Sequence, residues 1–133
     1  MGPYREVSAA ITVWDRSSPG SENSMLFFKQ RQQAMAMSIE EGLLLKKKEP
    51  SICLLDVRTP KEYASKHLPE SINLPLQQME TVHAIIPDLQ TRILVYCQSG
   101  SRSRRAVIAL KKYGYEQVTD LGGIMHWNGK MVR

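Results

Sequence analysis

No stretch of the chain stays apolar for the roughly 18 positions that a membrane-spanning helix needs. Aromatic residues are scarce, at 7% with two Trp, two Phe and five Tyr, and nowhere do they interleave with basic residues as in a single-strand nucleic-acid groove. There is no internal repeat and no low-complexity tract, which excludes solenoid and fibrous architectures. The first twenty residues lack a basic start followed by an apolar core, the mark of a secretory signal, so a cytoplasmic location is expected. Cysteine is nearly absent. Cys53 and Cys97 are the two thiols, and in a reducing compartment they are expected to stay unpaired.

What is present fits one soluble globular domain. The 133 residues suffice for a real core, and 42% hydrophobic with 23% charged residues is ordinary for such a fold. The charge is unevenly spread. Residues 1–90 hold ten Lys/Arg against eleven Asp/Glu, whereas residues 91–133 hold eight against two. A positive field around Cys97 favours small anions or acidic partners.

Residues 1–36 read as an N-terminal extension or linker, marked by the polar cluster SSPGSENS, with Met25 the expected start of the unit proper. Residues 37–133 then alternate. Ser38 to Glu41 forms a capping box opening a short helix through Leu45, with Lys46, Lys47 and Lys48 at its carboxyl end. Ile52–Asp56 is a buried-strand run, and Thr59-Pro60-Lys61-Glu62 caps a second helix. A short strand at Ile72–Leu74 and a helix near Met79–Ile86 follow. Arg92–Tyr96 is the strongest strand signal, Arg102–Tyr113 a helix ended by Gly114, and Val118–Leu121 a last strand before a short tail helix. Alternating strands and helices predict an α/β fold, with a small parallel sheet flanked by helices on both faces. Ligands bind at the carboxyl ends of such strands, where Cys97 stands.

The segment YCQSGSRSRRA runs from strand through tight loop to helix. Ser99, Gly100 and Ser101 are small enough for successive N–H groups to curl into an anion-binding nest. The following helix aims its positive end at the same spot, and Arg102 carries a permanent charge beside it. Each of these stabilises a thiolate, or a persulfide anion once sulfur is loaded. Against this stands the reading of Cys97 as a buried small hydrophobe, common for free cysteines but at odds with this loop. Cys53 lies in an apolar strand with no evident positive neighbour and reads as inert core.

Four blocks resemble the single-domain rhodaneses, a family of thiosulfate sulfurtransferases. Leu54 to Tyr63 (LLDVRTPKEY) is similar to the family's LLDVRTPEEY type. His67 to Pro75 is similar to its HIPGAINIP segment, Val95 to Ser103 to its CRSGxRS loop, and Leu121 to Trp127 to its LxGGxxxW close. The resemblance implies a ping-pong cycle: a donor such as thiosulfate loads Cys97, and a thiophilic acceptor such as cyanide, a thiol or a partner protein unloads it. It implies no metal and no organic cofactor, since the cysteine is the carrier. Gln98, Ser99, Gly100, Ser101, Arg102 and Ser103 would form the persulfide-binding loop. Two departures stand out: Gln98 replaces a common Arg, and Lys66 and Glu70 replace glycines near His67.

Asp56 and Arg58 either assist the substrate anion or, the favoured reading, pair at a strand end to order the turn. Arg104 and Arg105 sit in a first helical turn, where cations oppose the dipole, and an anionic substrate is a motive for them. Trp127 either lines the mouth or, more simply, packs the tail helix onto the core. His67, His83 and His126 lack metal-site spacing, and His67 is expected to anchor its turn. The rivals are a persulfide carrier or interaction module serving a partner protein, and a cysteine-dependent phosphatase or arsenate reductase. The latter's loop has five residues between Cys and Arg; here Gln98 to Ser101 make four, a tighter cradle suited to one sulfur atom.

Overall fold

The computed structural model describes residues 36–133; of the expected extension only Ala36, which bridges to Asp120, is among them, and the expected start at Met25 lies outside. Helix α1 (Ile39–Lys48) opens on the expected capping box. Ser38 Oγ accepts from the Glu41 N–H at 3.0 Å, and Glu41 Oε1 accepts from the Ser38 N–H at 3.0 Å. The same device opens α2 (Pro60–Ser65), where Thr59 and Glu62 exchange bonds of 3.1 and 2.9 Å and Pro60 takes the first helical position, whose N–H needs no partner.

Four strands form one wholly parallel sheet: β1 (Cys53–Asp56), β2 (Ile72–Asn73), β3 (Ile93–Cys97) and β4 (Val118–Gly123), in the order β2-β1-β3-β4. Strand β3 lies inside the sheet and every residue of it is buried, the physical meaning of its unbroken apolar run. Period-2 alternation divides its side chains between two cores. Ile93, Val95 and Cys97 join Leu55, Val57 and the inner face of α4 (Ser101–Lys112), namely Ala106, Val107 and Leu110. Leu94 and Tyr96 join Leu54, Leu121 and, from α1, Ile39 and Leu45. The sheet is therefore covered on both faces, as the sequence pattern predicts.

Three local expectations change. The stretch near Met79–Ile86 is a 3₁₀ turn (Leu76–Thr81) kinked at Gln78, followed by the single-turn helix α3 (Val82–Ile85). Strand β2 has two residues, because Pro75 cannot extend the ladder. No tail helix forms after Gly123: the chain runs irregularly, and Val132 makes an isolated antiparallel bridge to His67. The Trp127 ring lies against Gly129, where a Cβ would fall 2.2 Å from it. Among the described residues no helix is long and apolar enough to cross a membrane.

Candidate functional site

Cys97 is the last residue of β3 and is fully buried. Its Sγ accepts two backbone N–H bonds, from Gly100 at 3.0 Å and from Ser103 at 3.3 Å. Its side chain packs in the α4-side core, while its sulfur faces a polar cradle. The Ser103 N–H belongs to the first turn of α4, so the helix's unsatisfied donors are directed at the sulfur. Ser103 also closes the turn, its Oγ donating to the Gly100 carbonyl at 3.1 Å.

Gly100 is what lets the chain turn so tightly. It holds φ of 101° as the N-cap of α4, a left-handed conformation costly to any residue with a Cβ. Strand β4 fastens the loop from behind. The pairing of β3 with β4 slips by one residue between Val95 and Tyr96, which brings Gly123 opposite Cys97. The N–H groups of Ile124 and Met125 then donate to the carbonyls of Cys97 and Gln98, each at 3.0 Å. A Cβ on Gly123 would lie 2.4 Å from the Gln98 carbonyl oxygen.

Two ion pairs flank the loop. The carboxylate of Asp56 takes Arg58 Nη2 at 2.7 Å and Nε at 3.0 and 3.1 Å, and both residues are buried. Burial opposes the charge on Arg58, but the bonds from Asp56 outweigh it and hold its pKa above the ordinary value. Arg58 Nη2 also donates to the Lys66 carbonyl at 2.7 Å, and Nη1 to Gln98 Oε1 at 3.3 Å. The guanidinium stands 5.7 Å from the centre of the Tyr96 ring. Asn73 Nδ2 ties down the backbone between them, donating to the Asp56 and Arg58 carbonyls at 3.0 Å each. The pair thus orders the turn, the reading favoured from the sequence, and through Gln98 it also reaches the loop.

Arg102 is not a free cation. It grips Glu62 with two bonds, of 2.8 and 3.0 Å. The Glu62 carboxyl is held down to about 2 chiefly by Arg102, with help from its bonds to Thr59. Sequence reasoning assigned Glu62 to helix capping alone; its proximity to Arg102, 40 positions away, has no sequence-local signal. Arg104 and Arg105 are exposed on the outward side of α4, whereas Ser103, Ala106 and Val107 face inward. Trp127 is half-buried against the α1-side core, across the sheet from the core that holds Cys97.

Cys53 is partly buried, and burial pushes its thiol up to about 11. It does have a positive neighbour, contrary to expectation: Lys46 reaches over from α1 and donates to the Ile52 carbonyl at 2.7 Å. His67 anchors its turn through Nδ1 and the Tyr63 carbonyl at 2.8 Å, stacked on the Tyr63 ring. Among the described residues no cluster of His, Cys, Asp or Glu is arranged to hold a metal ion.

A sequence profile of the rhodanese-like domain matches residues 38–130, nearly all of the described chain. The protein belongs to the rhodanese-like domain family. Thiosulfate sulfurtransferase PspE of Escherichia coli is 35% identical over 71 residues, covering 53% of this chain and 68% of that one. The adenylyltransferase and sulfurtransferase uba4 of Ogataea parapolymorpha is 40% identical over 76 residues, 56% of this chain but 20% of that protein, so the chain spans a fifth of its length. Among solved structures, a rhodanese with anions from Escherichia coli superposes with a TM-score of 0.56 at 32% identity, over 61% of this chain and 96% of that one.

Proposed function

We infer that this rhodanese-like domain is a sulfurtransferase that moves a sulfane sulfur through a persulfide on Cys97. The observation that carries the reading is the pair of N–H bonds from Gly100 and Ser103 converging on Cys97 Sγ. Donors so placed are suited to hydrogen-bond the negative sulfur of the loaded persulfide and the sulfur that departs on unloading.

In the loading step the Cys97 thiolate attacks the outer sulfur of a donor such as thiosulfate. The donor's S–S bond breaks, and sulfite leaves with the electron pair. The loaded sulfur remains as an anion in a loop that Gln98, Ser99, Gly100, Ser101, Arg102 and Ser103 enclose. In the unloading step a thiophilic acceptor attacks that terminal sulfur, and the Cys97 thiolate departs. With cyanide the product is thiocyanate; with a thiol it is a new persulfide. The short Cys-to-Arg loop, closed by Ser103 on Gly100, supports a one-sulfur cargo over a phosphoryl group.

The test is direct. The full chain, incubated with thiosulfate, is expected to gain the mass of one sulfur and to release thiocyanate on adding cyanide, while Cys97→Ser does neither. Wild-type protein that takes up no sulfur from thiosulfate or from a persulfide donor overturns the reading.

A further inference from the structure

Both guanidiniums that the structure ties to the Cys97 loop already hold a carboxylate. Arg58, which reaches Gln98 Oε1 at 3.3 Å, is locked onto Asp56. Arg102, whose charge is favoured chiefly by Glu62 and to a lesser degree by Cys97, is bidentate on Glu62. Gln98 follows the nucleophile directly, and it brings no charge and is drawn toward Arg58. Arg104 and Arg105 are exposed on the outer side of α4, where salt screens a charge over about 8 Å. What a donor meets at Sγ is therefore a pair of backbone N–H groups between two neutralised ion pairs.

Such a site handles one negative charge far better than three. When thiosulfate loads the thiolate, the reacting atoms carry three formal negative charges, and sulfite leaves as a dianion. With an organic persulfide in its protonated form, R–S–SH, the form that is electrophilic at its terminal sulfur, they carry one. The Cys97 thiolate attacks the terminal sulfur, the donor's S–S bond breaks, and R–S⁻ leaves with the electron pair and is protonated by water. The new Cys97 persulfide then loses its proton to solvent. We propose that the donor suited to this loop is an organic persulfide, and that Gln98 is the specificity-determining residue. The neutral side chain of Gln98, held on the Asp56–Arg58 pair, withholds a cation that would favour a dianionic donor. This inference rests on Cys97 being the sulfur carrier.

The experiment compares kcat/KM for loading Cys97 from thiosulfate and from β-mercaptoethanol persulfide, read by intact mass on the full chain. Gln98→Arg adds a cation at the loop, and the thiosulfate-to-persulfide ratio is expected to rise about tenfold, the effect of one nearby charge on a dianion. Glu62→Gln unpairs Arg102 while a Gln still serves the capping box, and it is expected to shift the ratio the same way by a smaller factor. Both gains are expected to shrink in high salt. Gln98→Arg folded but with an unchanged or lowered ratio overturns the proposal, as does wild-type protein that uses thiosulfate as well as the persulfide. Should Gln98→Arg fail to fold, Glu62→Gln decides by the same criterion. Wild-type protein that neither donor loads overturns the sulfurtransferase reading itself, an outcome distinct from loading with the wrong preference.

Discussion

At Gly123 a missing carbon governs the active loop. A Cβ there would sit 2.4 Å from the Gln98 carbonyl oxygen and 2.6 Å from the Ser99 carbonyl carbon, both backbone atoms that cannot swing aside. Gly123→Ala is therefore expected to cost about 2–4 kcal/mol in urea unfolding, and to abolish sulfur loading even where the variant still folds. Glu70 and Lys66 make an instructive pair, since both replace glycines of the family pattern. Glu70 holds φ of 64°, a left-handed conformation that strains a side-chain-bearing residue. Lys66 is extended, at φ of −170°, and strains nothing. Glu70→Gly is expected to stabilise by up to about 1 kcal/mol, whereas Lys66→Gly is expected to destabilise by adding freedom to the unfolded chain. Thermal midpoints of the two variants check this, and a shift of both in one direction would contradict it. The departures themselves were legible in the sequence. Which of them carries strain was not, because φ depends on how the turn docks under Tyr96, whose hydroxyl takes the Leu68 N–H at 3.0 Å.

Helix α2 illustrates what a short element does for a site. Its six residues bury no side chain fully, so it adds little to the core. Its first turn instead presents Glu62, which caps Thr59 and holds Arg102 on α4. Glu62 is depressed to about 2 from a normal 4.5. A carboxyl whose folded pKa lies below its unfolded one contributes stability that is complete above about pH 4.5 and is lost as pH falls toward 2. The pair is part-exposed, so its contribution is on the order of 1 kcal/mol. Unfolding free energies of wild type and Glu62→Gln are expected to differ by that amount near neutrality and to converge at the acid end. A difference that persists unchanged at low pH would show that the ion pair is not its source. The cap was readable from Thr59-Pro60-Lys61-Glu62, since capping is local chemistry. The bridge was not, since Glu62 and Arg102 lie 40 positions apart and meet only in the folded chain.

Across the whole molecule, the Asp56–Arg58 pair ties the end of β1 to the turn before β2 and to the loop after β3. Asp56 is fully buried. Arg58→Met leaves that carboxylate without its partner, and strips the Lys66 carbonyl and Gln98 of a donor. The expected loss is about 3–5 kcal/mol in urea unfolding. Adding Asp56→Leu to that variant is expected to restore part of it, because the unpaired charge is gone. The two thiols offer a second measurement at this scale. Cys53, pushed up to about 11 by burial, is expected to resist alkylation of the native protein at neutral pH and to react once the chain is unfolded. Rapid native labelling would mean that the start of β1 opens.

The sequence by itself determined the alternation of strands and helices, both capping boxes, the continuous apolar run of β3 and the placement of Cys97 in a small-residue loop at a helix start. Each of these follows from residues within a few positions of one another. Tertiary structure decided the rest. The one-residue slip between β3 and β4 put Gly123 behind the loop, and the fold brought Glu62 of α2 within reach of Arg102 on α4. The reach of Arg58 tied down Gln98, and the region after Gly123 ran irregular rather than helical. Charge compensation depends on which distant groups end up within hydrogen-bond reach. A count of eight cations against two anions in the last third of the chain therefore marked a basic segment, while the folded molecule pairs one of those cations, Arg102 of the Cys97 loop, with Glu62 from the first two thirds.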